Sequence, residues 1–218
     1  MKLKTENLEN YEIQLTERDL DLLRTINSFG YVDINFICEK YRLKPNVAYR
    51  RLRRLIASKL IRHLYVYHQK PGIYLVTPEG VATCKDELPP LFKVSRATYD
   101  HSLAVSRASL ALAKLHQGHI ITERQIRHRM TEKGVGQFGH IADGALMIEG
   151  KKIALEIELS VKGKERLKNI LGQYAMQIEY DAVWYICGNA NLYKRFKELE
   201  GEYCFIKCHL LKDVLREE

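Results

Sequence analysis

The sequence predicts an α+β chain in two parts. The first is a helical, strongly basic N-terminal half that ends in a β-hairpin. The second is a C-terminal α/β half, a mixed sheet flanked by helices. Three observations predict this. Ten Lys or Arg residues and no acid fall between Lys40 and Lys70. The stretch from Lys85 to Asp100 holds Pro89-Pro90 and has no period. Beyond it, the apolar run Ala145–Ile148 and the alternating run Lys152–Ser160 flank Glu149-Gly150, as paired strands do. The expected divisions are residues 1–85, a linker at 86–99, and 100–218.

The 218 residues suffice for one large domain or two small ones. No apolar run approaches the roughly 18–20 residues of a membrane span. MKLKTENLENYEIQ has no apolar segment after its lysines, so it does not read as a secretory signal. A cytoplasmic protein without membrane contact is expected. Five cysteines, an odd number, do not make a disulfide framework. Cys204 and Cys208, followed by His209, lie in the apolar run YCFIKCHLL and read as core thiols rather than zinc ligands.

In LTERDLDLLRTINSFG, Thr16 caps a first helix, with Asp19 completing a near capping box and Gly30 stopping it. Leu20, Leu22, Leu23, Ile26 and Phe29 form its apolar stripe. Asp33 caps a second helix, INFICEKY, in which Ile34, Ile37 and Tyr41 share a face. Pro45 opens a third helix that turns Val47, Leu52, Leu55 and Ile56 inward. Arg50, Arg51, Arg53 and Arg54 crowd its outer faces. IRHLYVYHQ and IYLVT, joined by Lys70-Pro71-Gly72, read as a hairpin, and Thr77-Pro78 starts a further helix.

This order, with the basic charge on the third helix, resembles a winged helix-turn-helix, whose third helix enters the major groove and whose hairpin is the wing. Asn46, Tyr49, Arg50 and Arg53 are the candidates for base edges. Lys44, Arg51, Arg54, His68 and Lys70 are the candidates for phosphates. Double-stranded DNA is the expected partner. The alternatives are a protein-binding module and an Arg-rich face that is only solvated.

The second half opens with the helix HSLAVSRASLALAKLHQ, with Leu103, Val105, Leu110, Leu112 and Leu115 as its apolar residues. It suits packing on either domain or against a second copy. HIITERQIRHRM follows as strand and short helix, and EKGVGQFGH as a glycine-rich connection without phosphate-loop spacing. The strand Ala145–Ile148 turns at Glu149-Gly150 into the strand Lys152–Ser160, where Glu156 and Glu158 share a face and Asp143 approaches across the hairpin. A helix from Gly163 to about Tyr180, the strand DAVWYIC, a helix at 191–199 and a last strand YCFIKCHL complete an α/β sheet.

An acid at the start of one strand and another on the next, within an α-β-β-β-α-β order, resembles the PD-(D/E)XK nuclease fold. The resemblance implies that Asp143 and Glu156 hold Mg²⁺ or Mn²⁺ and that Glu123 stands for the family's helical Glu. Glu158 occupies the place of the family lysine, and Ala142 the place of its Pro. Lys162 is the candidate replacement for that lysine. Taken as residues alone, Asp143, Glu156 and Glu158 could hold one divalent ion through hard oxygen ligands. They could equally lie on a solvated sheet face paired with lysines, or remain in a degenerate fold kept as a platform.

Over most of the chain, YLVTPEG, HSLAV, TERQIR, ADGALMIEGKKIALEIELS and YDAVWYIC, in that order, resemble the replication-relaxation proteins of plasmids and other mobile elements. That resemblance implies a sequence-specific DNA-binding protein acting in replication, relaxation or transfer, or in their transcriptional control. A relaxase or replication protein and a second copy in a homodimer are its implied partners. A Mg²⁺-dependent endonuclease or nickase guided by the winged helix is the second expectation. A transcriptional regulator whose C-terminal domain dimerises or senses a ligand is the third.

Overall fold

The structure, a computed structural model, describes residues 14–132, 134 and 139–216. Most of the N-terminal segment and the middle of the glycine-rich connection read from the sequence lie outside the described residues. The chain divides into two compact units, Met1–Val94 and Ser95–Glu218.

In the first unit, Thr16 caps α1 (Glu17–Phe29) through a full capping box with Asp19, and Gly30 ends it with φ 81°. β1 (Val32–Asp33) follows. The Asp33 carboxylate then accepts from Phe36 N at 2.9 Å and caps α2 (Ile34–Tyr41). Pro45 occupies the first turn of α3 (Pro45–Ala57). β2 (Ile61–Leu64) and β3 (Ile73–Val76) form an antiparallel pair, and β1 adds to β3, giving the order β1-β3-β2. α4 (Pro78–Cys84) is capped by Thr77. Leu23, Ile26, Phe36, Ile37, Leu55, Ile73 and Leu75 form the buried interior.

Three expectations change here. The inward stripe of α3 is Ala48, Leu52 and Leu55, while Val47 and Ile56 are half-buried, because spacings of four and three residues keep a narrower line on one helix face. The first hairpin strand ends at Leu64 rather than Gln69. Gly72 lies under the His63 ring, so close that a Cβ there would fall 2.0 Å from Nε2, and His63 stacks on Tyr74 at 4.6 Å. β1, at two residues, is too short to show a period. The expected linker is also partly fastened. Asn27 Nδ2 donates to Leu88 O at 2.8 Å, and Arg62 Nη2 donates to the carbonyls of Leu91 and Phe92, each at 2.8 Å. Leu88 is buried, and the continuously exposed run is 95–98.

The second unit is a five-stranded mixed sheet flanked by helices, in the order β4-β5-β6-β7-β8. α5 (Tyr99–Leu115) precedes β4 (His119–Thr122) and α6 (Glu123–Glu132) follows it. β5 (Gly144–Ile148) and β6 (Lys151–Glu158) pair antiparallel across a two-residue turn, Glu149 at φ 48° and Gly150 at φ 81°. α7 (Lys164–Met176) crosses to β7 (Ala182–Cys187), parallel to β6. α8 (Ala190–Glu202) then crosses to β8 (Ile206–Leu210), parallel to β7. A short α9 (Leu211–Val214), absent from the sequence reading because four residues carry no period, closes the unit.

β6 divides the interior. Ile153, Leu155 and Ile157 pack with Ala108, Ala111 and Leu112 of α5 and with Trp184 and Ile186. Ala154 faces the other way, toward Leu167, Ile170, Tyr174, Tyr185 and Phe196 from α7, β7 and α8. On α5, small residues join leucines in the seam: Ser106, Ala108, Ser109 and Ala111 are buried with Leu103 and Leu112, while Leu115 is 45% exposed. Small side chains let the helix approach the sheet closely. Among the described residues, no helix is long and apolar enough to cross a membrane.

Candidate carboxylate centre and basic helix

Strand alternation sends Glu156 and Glu158 to the α7 side of β6, as the sequence requires. The solvated face considered for them is not what the fold builds: Glu156 is 1% exposed and Glu158 3%. Residues of α7, with His140, cover them. Tyr174 OH donates to Glu156 Oε1 at 2.5 Å, and His140 Nε2 lies 2.5 Å from the same oxygen. Lys162, in the connection from β6 to α7, sets its ammonium against Glu158 Oε1 and 3.6 Å from Glu156 Oε2. Asp143, just before β5, accepts from Ile157 N at 2.8 Å and lies 3.2 Å from His101 Nε2 on α5. His101 Nε2 also reaches Ile157 O at 3.0 Å.

The electrostatics follow from burial. Removal from water pushes the Glu158 carboxyl above its usual range, and Lys162 offsets part of this while Glu156 and Asp143 add to it. Burial pulls Lys162 down, but Glu156, Glu158 and Asp143 outweigh it, so the amine stays charged above its ordinary value. The hydrogen bond to Asp143 raises His101 against the effect of burial. One ammonium thus compensates two buried carboxylates, and a histidine stands at the third.

The donor chemistry suits a hard cation. The arrangement does not: among the described residues, no group of three or more His, Cys, Asp or Glu is placed to hold a metal ion. Asp143 Oδ2, both Glu156 oxygens and Glu158 Oε1 are engaged by Lys162, Tyr174, His140, His101 and the Ile157 amide. Glu123 does not join them. It opens α6, after β4, and pairs with Arg127 at 2.6 Å with its side chain 42% exposed. The helix before the first strand of this sheet is α5, and it supplies His101. Sequence reasoning missed His101, His140 and Tyr174. The first opens the HSLAV stretch and the second ends the EKGVGQFGH stretch, but no spacing ties them to acids far along the chain.

On α3, Arg50, Arg53 and Arg54 are exposed, as are Lys44 and Asn46, and Tyr49 is 41% exposed. Arg51 differs. Its guanidinium forms a bidentate pair with Asp19 of α1, and its Nη2 donates to Gln14 O at 3.1 Å. Burial of Asp19 would raise its carboxyl, but Arg51 and Thr16 outweigh this and hold it below its usual range. His68 is exposed in the 65–72 loop, and Lys70 sets its ammonium 5.0 Å from the Tyr67 ring centroid.

No protein-family model matches the chain, and no curated protein does. Among solved structures, it is similar to the crystal structure of protein VC1899 from Vibrio cholerae, at 11% identity and a TM-score of 0.34. The match covers 93% of this chain and 55% of that one, so the chain spans about half the length of VC1899.

Proposed function

We propose that this chain is a double-stranded DNA-binding protein whose first unit is a winged helix-turn-helix, with α3 as recognition helix and the β2–β3 loop as wing. The observation that carries this is the outer face of α3. Lys44, Asn46, Tyr49, Arg50, Arg53 and Arg54 are exposed there, and residues 40–70 contain no acid. Such a face replaces condensed counterions on phosphates. Asn46, Tyr49, Arg50 and Arg53 read base edges, and Lys44, Arg54, His68 and Lys70 hold phosphates. Arg51, bound to Asp19, supports the helix instead. The second unit is a PD-(D/E)XK-like sheet whose acids are neutralised within the chain. This accords with a replication-relaxation protein of a mobile element, working as a homodimer with a relaxase or replication protein, in replication, transfer or transcriptional control.

Anisotropy of labelled duplexes across a salt series tests it. Arg54→Ala should weaken binding to every sequence and reduce the salt slope by about one. Arg50→Ala and Arg53→Ala should also relax sequence preference. A folded triple variant, Arg50→Ala/Arg53→Ala/Arg54→Ala, that binds DNA as the wild type does would refute the reading.

A second reading, divalent-ion-dependent DNA cleavage, is favoured by one observation. Lys162 reaches Glu156, one of the two acids that the nuclease resemblance assigns to the metal, although the motif position holds Glu158. Plasmid nicking in Mg²⁺ or Mn²⁺ that Glu156→Gln abolishes would establish it. Absence of nicking, with DNA binding intact, would leave the sheet as a scaffold.

A further inference from the structure

The β2–β3 hairpin and α3 share an aromatic border. His63 and Tyr65, two residues apart, continue one face of β2, and His63 pairs in register with Tyr74 of β3. The His63 ring stacks on Tyr74 with centroids 4.6 Å apart and meets Tyr65 at 4.7 Å, inclined by 64°. Tyr74 is buried, whereas Tyr65 is 72% exposed. On α3, Tyr49 and Arg53 are one helical turn apart, and both are exposed. Burial pushes the Tyr74 hydroxyl up to about 12, with Tyr49, Tyr65 and Cys38 adding to this and Arg53 opposing it. Tyr49, Arg53 and Tyr65 therefore border one buried ring.

Neither the carboxylate centre nor the duplex contacts assigned above use Tyr65. Two features say what fits it. Residues 40–70 hold ten Lys or Arg and no acid, so the occupant of this border is an anion. Tyr65 is also braced by His63, which Tyr74 stacks in turn, so little freedom is lost when a flat group settles on it. Bases within a duplex offer only their edges in the grooves, because their faces are stacked on neighbours. An unpaired base offers a face and brings a phosphate with it. Tyr67 is placed differently, since the Lys70 ammonium already lies 5.0 Å from its ring centroid.

We propose that Tyr65 is a stacking platform for an unpaired base, so that the chain prefers DNA in which a duplex runs into a single strand. This rests on the DNA-binding reading and narrows its substrate to duplex–single-strand junctions. Arg50 and Arg53 stay on the duplex, Tyr49 meets the edge of the last paired base, and Tyr65 takes the first unpaired one.

A tail also adds phosphates, so the test holds charge constant. The full chain is titrated by anisotropy with one labelled duplex carrying either a thymidine tail or an abasic tail of equal length. The thymidine tail should bind about tenfold more tightly, the worth of one stacked base, with the same salt slope for both. Tyr65→Leu keeps apolar bulk and removes the ring, and should bring the ratio of the two affinities to near one. Tyr65→Phe keeps the ring and should keep the ratio. Equal binding of the two tails by the wild type overturns the proposal and leaves the DNA-binding reading standing. A Tyr65→Leu variant that retains the tenfold ratio overturns it as well. Binding of neither probe overturns both.

Discussion

Lys162 brings its ammonium within 3.6 Å of Glu156 Oε2 while it pairs more closely with Glu158. Two carboxylates, 1% and 3% exposed, thus share one ammonium. Removing one partner from a buried pair leaves an uncompensated charge, which costs about 3–5 kcal/mol, whereas removing both with apolar replacements is often nearly neutral. Lys162→Met should lower unfolding free energy in urea, and Glu158→Leu should lower it less, because Glu156 still pairs with the ammonium. The double variant should lose clearly less than the sum, a coupling that a double-mutant cycle reads directly. Additive losses would show that the pair does not act as a unit.

Arg51 and Arg54 should behave oppositely. Arg51→Ala strands the Asp19 carboxylate and should cost about 1–3 kcal/mol of stability, whereas Arg54→Ala should leave stability nearly unchanged and weaken DNA binding. The Arg51 deficit should depend on pH. The Asp19 carboxyl is depressed below 3.8 in the folded chain. Its stabilising contribution is therefore present above the unfolded value and lost as pH falls through the folded one. Denaturant titrations of wild type and Arg51→Ala should stay apart from neutral pH to about pH 4 and converge below it.

Gly80 sets a local preference against a tertiary contact. It lies inside α4, where alanine would favour the helix by about 1 kcal/mol. A Cβ there would fall 2.1 Å from the Leu60 carbonyl oxygen, which is backbone and cannot swing aside. Overpacking of this kind costs about 1–3 kcal/mol, so Gly80→Ala should lower the melting temperature. A raised melting temperature would mean that α4 can shift away from Leu60 at little cost.

Limited trypsin digestion should cut first at Lys93 or Arg96, near the exposed run 95–98, rather than within 86–92. The earlier part is held by Asn27 and Arg62, and a protease needs an extended, detachable backbone. The N-terminal fragment should remain folded and bind duplex DNA. In Arg62→Ala, non-specific proteolysis should spread to Leu91 and Phe92. First cleavage at Lys85 in the wild type would show that the fastening is weak.

Features that rest on chemistry within a few residues were determined by the sequence itself. Thr16 and Asp33 cap because their oxygens meet amides three residues on. Glu149-Gly150 turns because both adopt positive φ, and Glu156 and Glu158 share a face because a strand alternates. The acid-free run around α3 is likewise plain in the residue order. Burial is not local: it depends on what lands on a face. Only the packing of α7 on β6 made the two glutamates an interior site, with Tyr174 donated from another element. Only the approach of α1 to α3 drew Arg51 away from the outer face. Likewise, only α5 crossing the sheet set His101 at Asp143. These contacts join residues far apart in sequence, and no period or spacing encodes them, because each is fixed by the collective packing of several elements.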